Sequence, residues 1–235
     1  VNREGGMHEG HGSDETLLEV RNLWVDMPGE TVRNASFEVK SGEIFGIAGL
    51  SGQGKVGITN GLMGLNPAGG TVTYKGRPFK LNNTNSALNS GLAFVTEDRR
   101  GTGLLLDEPI SWNISFNSMQ VKGTALKRIG LARFRDEKKM DEIARTFIEA
   151  LDIKCTGPEQ PVRELSGGNQ QKVCLAQAFS LEPELLLVNE PTRGIDIGAK
   201  DLVLETLTRV NDERDTTIII VSSELEELRS IADRI

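Results

Sequence analysis

Aromatic residues are scarce in this chain: Phe, Trp and Tyr together make up 5% of its 235 residues. With 26 glycines set against them, the balance suits an α/β protein with glycine-rich loops better than a β-sandwich. Only two cysteines occur, Cys155 and Cys174. They fit no metal-binding spacing and read as ordinary thiols of a reducing cytoplasm. No apolar run approaches the ~20 residues that span a bilayer. The strongest are Leu185–Val188 and Ile218–Val221, so any membrane role must come through a partner. An excess of basic charge is also missing. The net charge of −7 argues against non-specific nucleic-acid binding, and no nucleic-acid partner is expected.

Histidine is nearly absent too. His8 and His11 are the only two, and both lie in a polar, glycine-rich opening stretch with no apolar core, which excludes a signal peptide. Residues 1–16 read as a flexible linker or production remnant rather than a metal site. The other end, ADRI, stops where a strand ought to begin, which predicts a truncated C-terminus and a piece excised from something longer.

Between the ends, patterning predicts strands at Leu17–Val25 and Val32–Val39, joined across the turn MPGE. A short strand Ile44–Ala48 leads through a loop into a helix of about Gly54–Met63. Further strands follow at Thr71–Lys75 and Leu92–Val95. Met140, Ile143, Ala144, Phe147, Ile148 and Leu151 share one helical face, so a helical subdomain of about 98–165 is expected within residues 17–235. Then come a helix (Asn169–Phe179), a strand (Leu185–Val188), a helix around Ala199–Val210, a strand (Thr216–Val221) and a last helix from Glu224. Strands alternating with helices imply a parallel sheet whose ligand sits at the strands' carboxyl ends.

Three motifs carry chemistry. The first, GLSGQGKV (49–56), follows G-x-x-x-x-G-K-[ST] up to its last letter. Gly49, Gly52 and Gly54 let the backbone of Leu50, Ser51, Gln53 and Gly57 aim N–H groups at phosphate oxygens, and Lys55 supplies a mobile positive charge. Val56 stands where a hydroxyl should hold Mg²⁺. The second, LLLVNEPTRGID (185–196), places Asn189 and Glu190 where a metal carboxylate and a catalytic carboxylate are expected. Glu190 can act as a general base on water, while Asn189 carries no charge. The third, LSGGNQQKV (165–173), begins a helix. Ser166 is a natural N-cap, and Gly167 and Gly168 open the helix end to an anion.

Together these motifs resemble the nucleotide-binding domain of an ABC transporter, across nearly the whole chain from Leu17. VTEDRR (95–100) and VSSELEEL (221–228) narrow the resemblance to the second of two fused domains in bacterial importers of monosaccharides such as ribose, galactose or xylose, or of nucleosides. It implies an α/β P-loop NTPase core of ABC ATPase type, with an antiparallel β subdomain and an inserted helical subdomain. It implies ATP and Mg²⁺, and a peripheral place on the cytoplasmic face of the cell membrane. The partners implied are a first ATP-binding domain of the same parent chain or a homologous one, membrane permease subunits and, indirectly, a periplasmic or extracellular substrate-binding protein. Glu97 would face the membrane subunit, Asp196 would lie at the domain–domain contact, and Ser223 occupies the place of a switch histidine. Residues Leu165, Ser166, Gly167, Gly168, Asn169 and Gln170 would serve the partner's ATP.

In that family each ATP lies between one domain's phosphate loop and the other's LSGG. Val56, Asn189 and Ser223 all fall on the loop side, and nothing is missing on the LSGG side. The expectation is a site that binds nucleotide, holds Mg²⁺ weakly and scarcely hydrolyses, paired with a signature that completes the partner's ATPase site. A soluble ABC-type ATPase or a purely regulatory nucleotide-sensing domain is the alternative. The absence of an N-K-x-D motif argues against a GTPase.

Overall fold

The computed structural model describes residues 12–129 and 132–235; His8 and His11 lie outside them. In chain order the elements are β1 (Thr16–Val25), β2 (Val32–Lys40), β3 (Ile44–Ala48), α1 (Lys55–Met63), β4 (Ala68–Tyr74), β5 (Arg77–Pro78), α2 (Thr84–Asn89) and β6 (Leu92–Val95). They continue with α3 (Ile110–Lys122), β7 (Leu126–Ile129), β8 (Ala132–Arg135), α4 (Glu137–Ala150), α5 (Gly167–Phe179), β9 (Leu185–Asn189), α6 (Ile197–Arg214), β10 (Thr217–Ser222) and α7 (Leu225–Ile231). Two compact units emerge. The first runs to Phe94 and takes in Pro183–Pro191 and Leu204–Ile235; the second comprises Val95–Glu182 and Thr192–Val203.

The first unit holds two sheets. One is antiparallel in the order β2-β1-β4-β5; the other runs β3-β10-β9-β6, with β10 parallel to both β3 and β9. Strands β9 and β10 are LLLVN and TIIIVS, buried along their whole length. An unbroken apolar strand is what a parallel sheet covered on both faces requires. Leu185 and Leu187 of β9 and Ile219 of β10 join one core with Leu18, Val20 and Leu23 of β1 and Leu62 of α1. Helix α1 ends at Gly64, whose φ of +77° allows its N–H to return to the carbonyls of Asn60 and Gly61.

In the second unit, α3 packs against α4 and α5. The face expected on α4 is present: Met140, Ala144 and Phe147 are buried, and Asp136 caps the helix by accepting from the Lys139 N–H. The expected helical span also contains the antiparallel hairpin β7–β8 and the helix α3, neither of which the apolar pattern announced. Helix α3 buries Asn113, Ser115 and Ser118 alongside Ile110 and Ile114. Asn113 is satisfied in this setting: its amide donates to the carbonyls of Leu105 and Pro109 and accepts from the Leu105 N–H. Cys155 and Cys174 are both free. Burial pushes the Cys174 thiol up to about 12, an effect the nearby Arg99 charge only partly offsets, which leaves it unreactive.

Leu187 is fully buried, and truncating it leaves a cavity between layers that cannot easily collapse. Leu187→Ala should cost about 3 kcal/mol, read as a lowered urea midpoint at unchanged slope.

Candidate nucleotide site

Strand β3 delivers the chain to Gly49, and two residues with positive φ turn it into α1: Gly52 at +82° and Gly54 at +87°. A side chain at Gly54 is excluded for a second reason, since a Cβ there would come within 2.7 Å of the Thr31 carbonyl. The loop therefore folds against the turn between β1 and β2. Gln53 steadies it by accepting from the Leu50 N–H at 2.9 Å. A cleft of about 430 Å³ beside the loop is lined by Thr31–Ala35, Ile47–Gly49, Gln53–Lys55 and Ile58. Met27 and Trp24 are not among its lining residues. Met27 Sδ accepts from Asn60 Nδ2 at 3.0 Å, and Trp24 is 47% exposed with its ring lying over Gly69.

Lys55 stands in the first turn of α1 with its side chain 3% exposed. Its ammonium group is ion-paired with Glu190 and donates to Ser223 Oγ at 3.1 Å. Glu190 follows the last residue of β9 and sits at φ +44°. That left-handed backbone is unfavourable for a residue with a side chain, and its N–H is pinned to the Val221 carbonyl at 2.8 Å. The Ser223 hydroxyl and N–H both donate to the same carboxylate. Burial alone raises the Glu190 carboxyl. The hydrogen bonds from Lys55 and Ser223, with the Lys55 charge, more than offset this and leave it below the ordinary carboxylate range.

Asn189 has no solvent exposure. Its Oδ1 lies 2.6 Å from the hydroxyl of Thr59, which donates to it and sits 2.9 Å from the Val56 carbonyl. Val56 itself is buried and apolar. The position that offers a metal ligand in complete phosphate loops offers none here. The hydroxyl one turn further on is committed to a neutral amide.

Glu97, Leu165–Gln170 and Asp196 belong to the second unit, and Gly49–Gly57, Asn189, Glu190 and Ser223 to the first. Ser166 does cap α5, accepting from Asn169 N–H and Nδ2. The glycines after it have a packing role: a Cβ at Gly168 would sit 2.7 Å from Ala199 Cβ, and one at Gly167 would sit 3.2 Å from Arg99 Nη2. Gln170 is turned inward, 3% exposed, donating to the carbonyls of Val162 and Leu165. Glu97 accepts from its neighbour Thr96 at 3.5 Å. Asp196 is exposed, and its carbonyl accepts from Ala199 and Lys200 at the start of α6. Three residues were given no role of their own by the sequence. Arg99, the first Arg of VTEDRR, donates to the carbonyls of Arg193 and Gly194. Thr59 is the partner of Asn189. Glu30, the last letter of MPGE, places its two carboxylate oxygens 2.7 Å from Gly52 N and 2.8 Å from Gly54 N.

A glycine-turned loop passing from a parallel strand into a lysine-bearing helix makes this a P-loop NTPase fold. Within that class the chain belongs to the ABC transporter family, which residues 32–193 match. It is 39% identical over 222 residues to the ribose import ATP-binding protein RbsA of Lactococcus lactis subsp. cremoris, covering 94% of this chain and 43% of that protein. It is 37% identical over 222 residues to the galactose/methyl galactoside import ATP-binding protein MglA of Escherichia coli K12, covering 94% and 42%. The chain thus spans about two-fifths of the length of these relatives. In fold it is similar to the dimeric, post-hydrolysis ATP-binding cassette MJ0796 bound to ADP and Pi, with a TM-score of 0.71 at 20% identity over 90% of each chain. Among the described residues no helix is long and apolar enough to cross a membrane.

The folded chain holds the Glu190 proton less tightly than the unfolded chain does. The resulting stability is present in full above the unfolded carboxylate value and disappears as pH falls through the depressed folded value. Lys55→Met leaves a buried carboxylate without its cation. It should destabilise the protein at neutral pH by about 3 kcal/mol, and the gap to wild type should narrow as pH falls, because protonation of Glu190 relieves the variant while it removes the wild-type contribution, measured by urea titrations across pH 3–7.

Proposed function

We propose that this chain is the ATP-binding domain of a bacterial ABC importer for simple sugars, with a degenerate site of its own and a signature that completes the ATPase site of a partner domain. The single observation that carries this reading is the closed Thr59–Asn189 hydrogen bond beside an apolar Val56. The residues present do not fit a protein-held Mg²⁺: no hydroxyl stands at Val56, and a neutral amide already engaged by Thr59 replaces the carboxylate. Removing one unit charge about 4 Å from a cation forgoes roughly 1 to 4 kcal/mol. Metal accompanying ATP would therefore be held mainly by the phosphates.

The groups that bind phosphate are kept. The loop's N–H groups and Lys55 remain, and nucleotide phosphates would draw the Lys55 ammonium away from Glu190. That exchange would leave Glu190 as a general base, with a serine hydroxyl in place of the imidazole at position 223. A missing catalytic side chain typically slows chemistry by about 10²- to 10⁴-fold. Turnover at this loop is accordingly expected to be negligible, while binding survives.

The remaining parts follow from the relatives. Their printed names describe ATP-binding proteins of ribose and galactose import. By analogy, the partner would be a homologous ATP-binding domain, carried on the same parent chain or another. The assembly would dock on membrane permease subunits from the cytoplasmic side, with Glu97 facing them and Asp196 near the domain–domain contact. Residues Leu165–Gln170 would present the N-terminus of α5 to the partner's ATP.

The 235-residue chain should bind ATP in calorimetry yet show no turnover above background in a phosphate-release assay; brisk turnover would sink the reading. Val56→Thr, Asn189→Asp and Ser223→His together should raise turnover by at least about 10-fold once a partner domain is supplied. Ser166→Ala should cost about 1 kcal/mol of stability through the lost cap and lower the partner's hydrolysis. Full activity of the complex after that change would favour a purely regulatory module.

A further inference from the structure

We propose that Glu30 is an internal substitute for phosphate, a carboxylate that occupies the cradle of the loop until a polyphosphate displaces it and so sets the nucleotide affinity of this site. The proposal rests on the nucleotide-binding reading above and concerns a residue outside all three motifs. Glu30 is half-buried, and its two oxygens accept separately, one from Gly52 N at 2.7 Å and the other from Gly54 N at 2.8 Å. These are two amides with positive φ in the heart of the phosphate-binding loop. Converging N–H groups at the positive end of a helix form an anion site, and a carboxylate is the one anion the chain itself can supply there.

The rest of the turn is arranged to hold that carboxylate in place. Residues Met27–Glu30 close through the Glu30 N–H to Met27 carbonyl bond at 3.0 Å. The turn's backbone rests on α1 so closely that a Cβ at Gly57 would fall 2.1 Å from the Glu30 carbonyl. The backbone cannot lift away without moving the helix start, whereas the side chain can swing out by rotation about its own bonds. The cleft lined by Thr31–Ala35 and Gln53–Lys55 opens beside the same loop, so an incoming phosphate approaches the groups that Glu30 holds. Lys55 is neutralised in parallel by Glu190. The loop's N–H groups at Gly52 and Gly54 and its lysine are thus each matched by a carboxylate of the same unit. A phosphate chain, with more oxygens and more charge than either carboxylate, can replace both at once.

Glu30→Gln keeps the volume of the side chain but loses the charge and one acceptor; Glu30→Ala removes the group. Titration of the full chain with ADP and with inorganic tripolyphosphate, followed by calorimetry, should give about 5- to 30-fold tighter binding of both probes in the variants. Equal affinities in wild type and variants would overturn the role of Glu30 alone. Absence of binding in all of them would overturn the nucleotide reading and this inference with it. A ligand-free readout stands apart from both: amide hydrogen exchange at Gly52 and Gly54 should speed up by about 10-fold in Glu30→Gln, and unchanged protection would refute the contact. Should Glu30→Ala fail to fold, the near-isosteric Gln variant decides.

Discussion

Gly52 and Gly54 turn two backbone N–H groups toward one place, and whatever fills that place must accept hydrogen bonds and carry negative charge. The conformation of the whole loop follows from this demand. Without an acceptor, converging amides repel, and the bond from the Leu50 N–H to Gln53 does not satisfy them. Here the β1–β2 turn meets the demand, bringing Glu30 to both groups. The close approach of that turn to Gly54 and Gly57 joins the antiparallel sheet to the start of α1. Sheet, turn and loop behave as one assembled piece.

The charged centre beyond the loop obeys the same rule. A buried ammonium and a buried carboxylate are each costly alone, and together they are tolerable because hydrogen bonds satisfy the remaining valences. Ser223 supplies two of these bonds to Glu190. Next to that ion pair, the Thr59–Asn189 contact is neutral and closed. The charges here are paired at Lys55 and Glu190, and the contact at Asn189 beside them is neutral.

Much of this was legible in the chain. The motif letters located Lys55, Glu190 and Ser166, and unbroken apolar runs located β9 and β10, because burial on both faces leaves no polar position to blur the signal. The amphipathic face of α4 was equally plain. The helix α3 was not, because it buries Asn113 and three serines, and Asn113 is satisfied by the backbone of the segment just before the helix rather than by anything a helical period records. The hairpin β7–β8 was missed because its strands are only four residues each, LKRI and ARFR, and a run that short is too brief to separate strand from helix by period. Glu30 and Thr59 were invisible on a different ground. Each acts through a partner 22 or more positions away, Gly52 and Asn189 respectively, and a single sequence records no such pairing. An acidic residue closing a tight turn opposite a phosphate loop is the signal that could have found Glu30.

Complete enclosure of position 189 limits which side chains it can accept. A carboxylate there would be an ion without solvent contact, and in a protein interior that penalty runs to several kcal/mol. A hydroxyl at position 56, itself buried, would need a hydrogen-bond partner but no counter-charge. At position 189, a neutral amide held by Thr59 meets the same enclosure at a smaller cost, since it brings no charge into the interior.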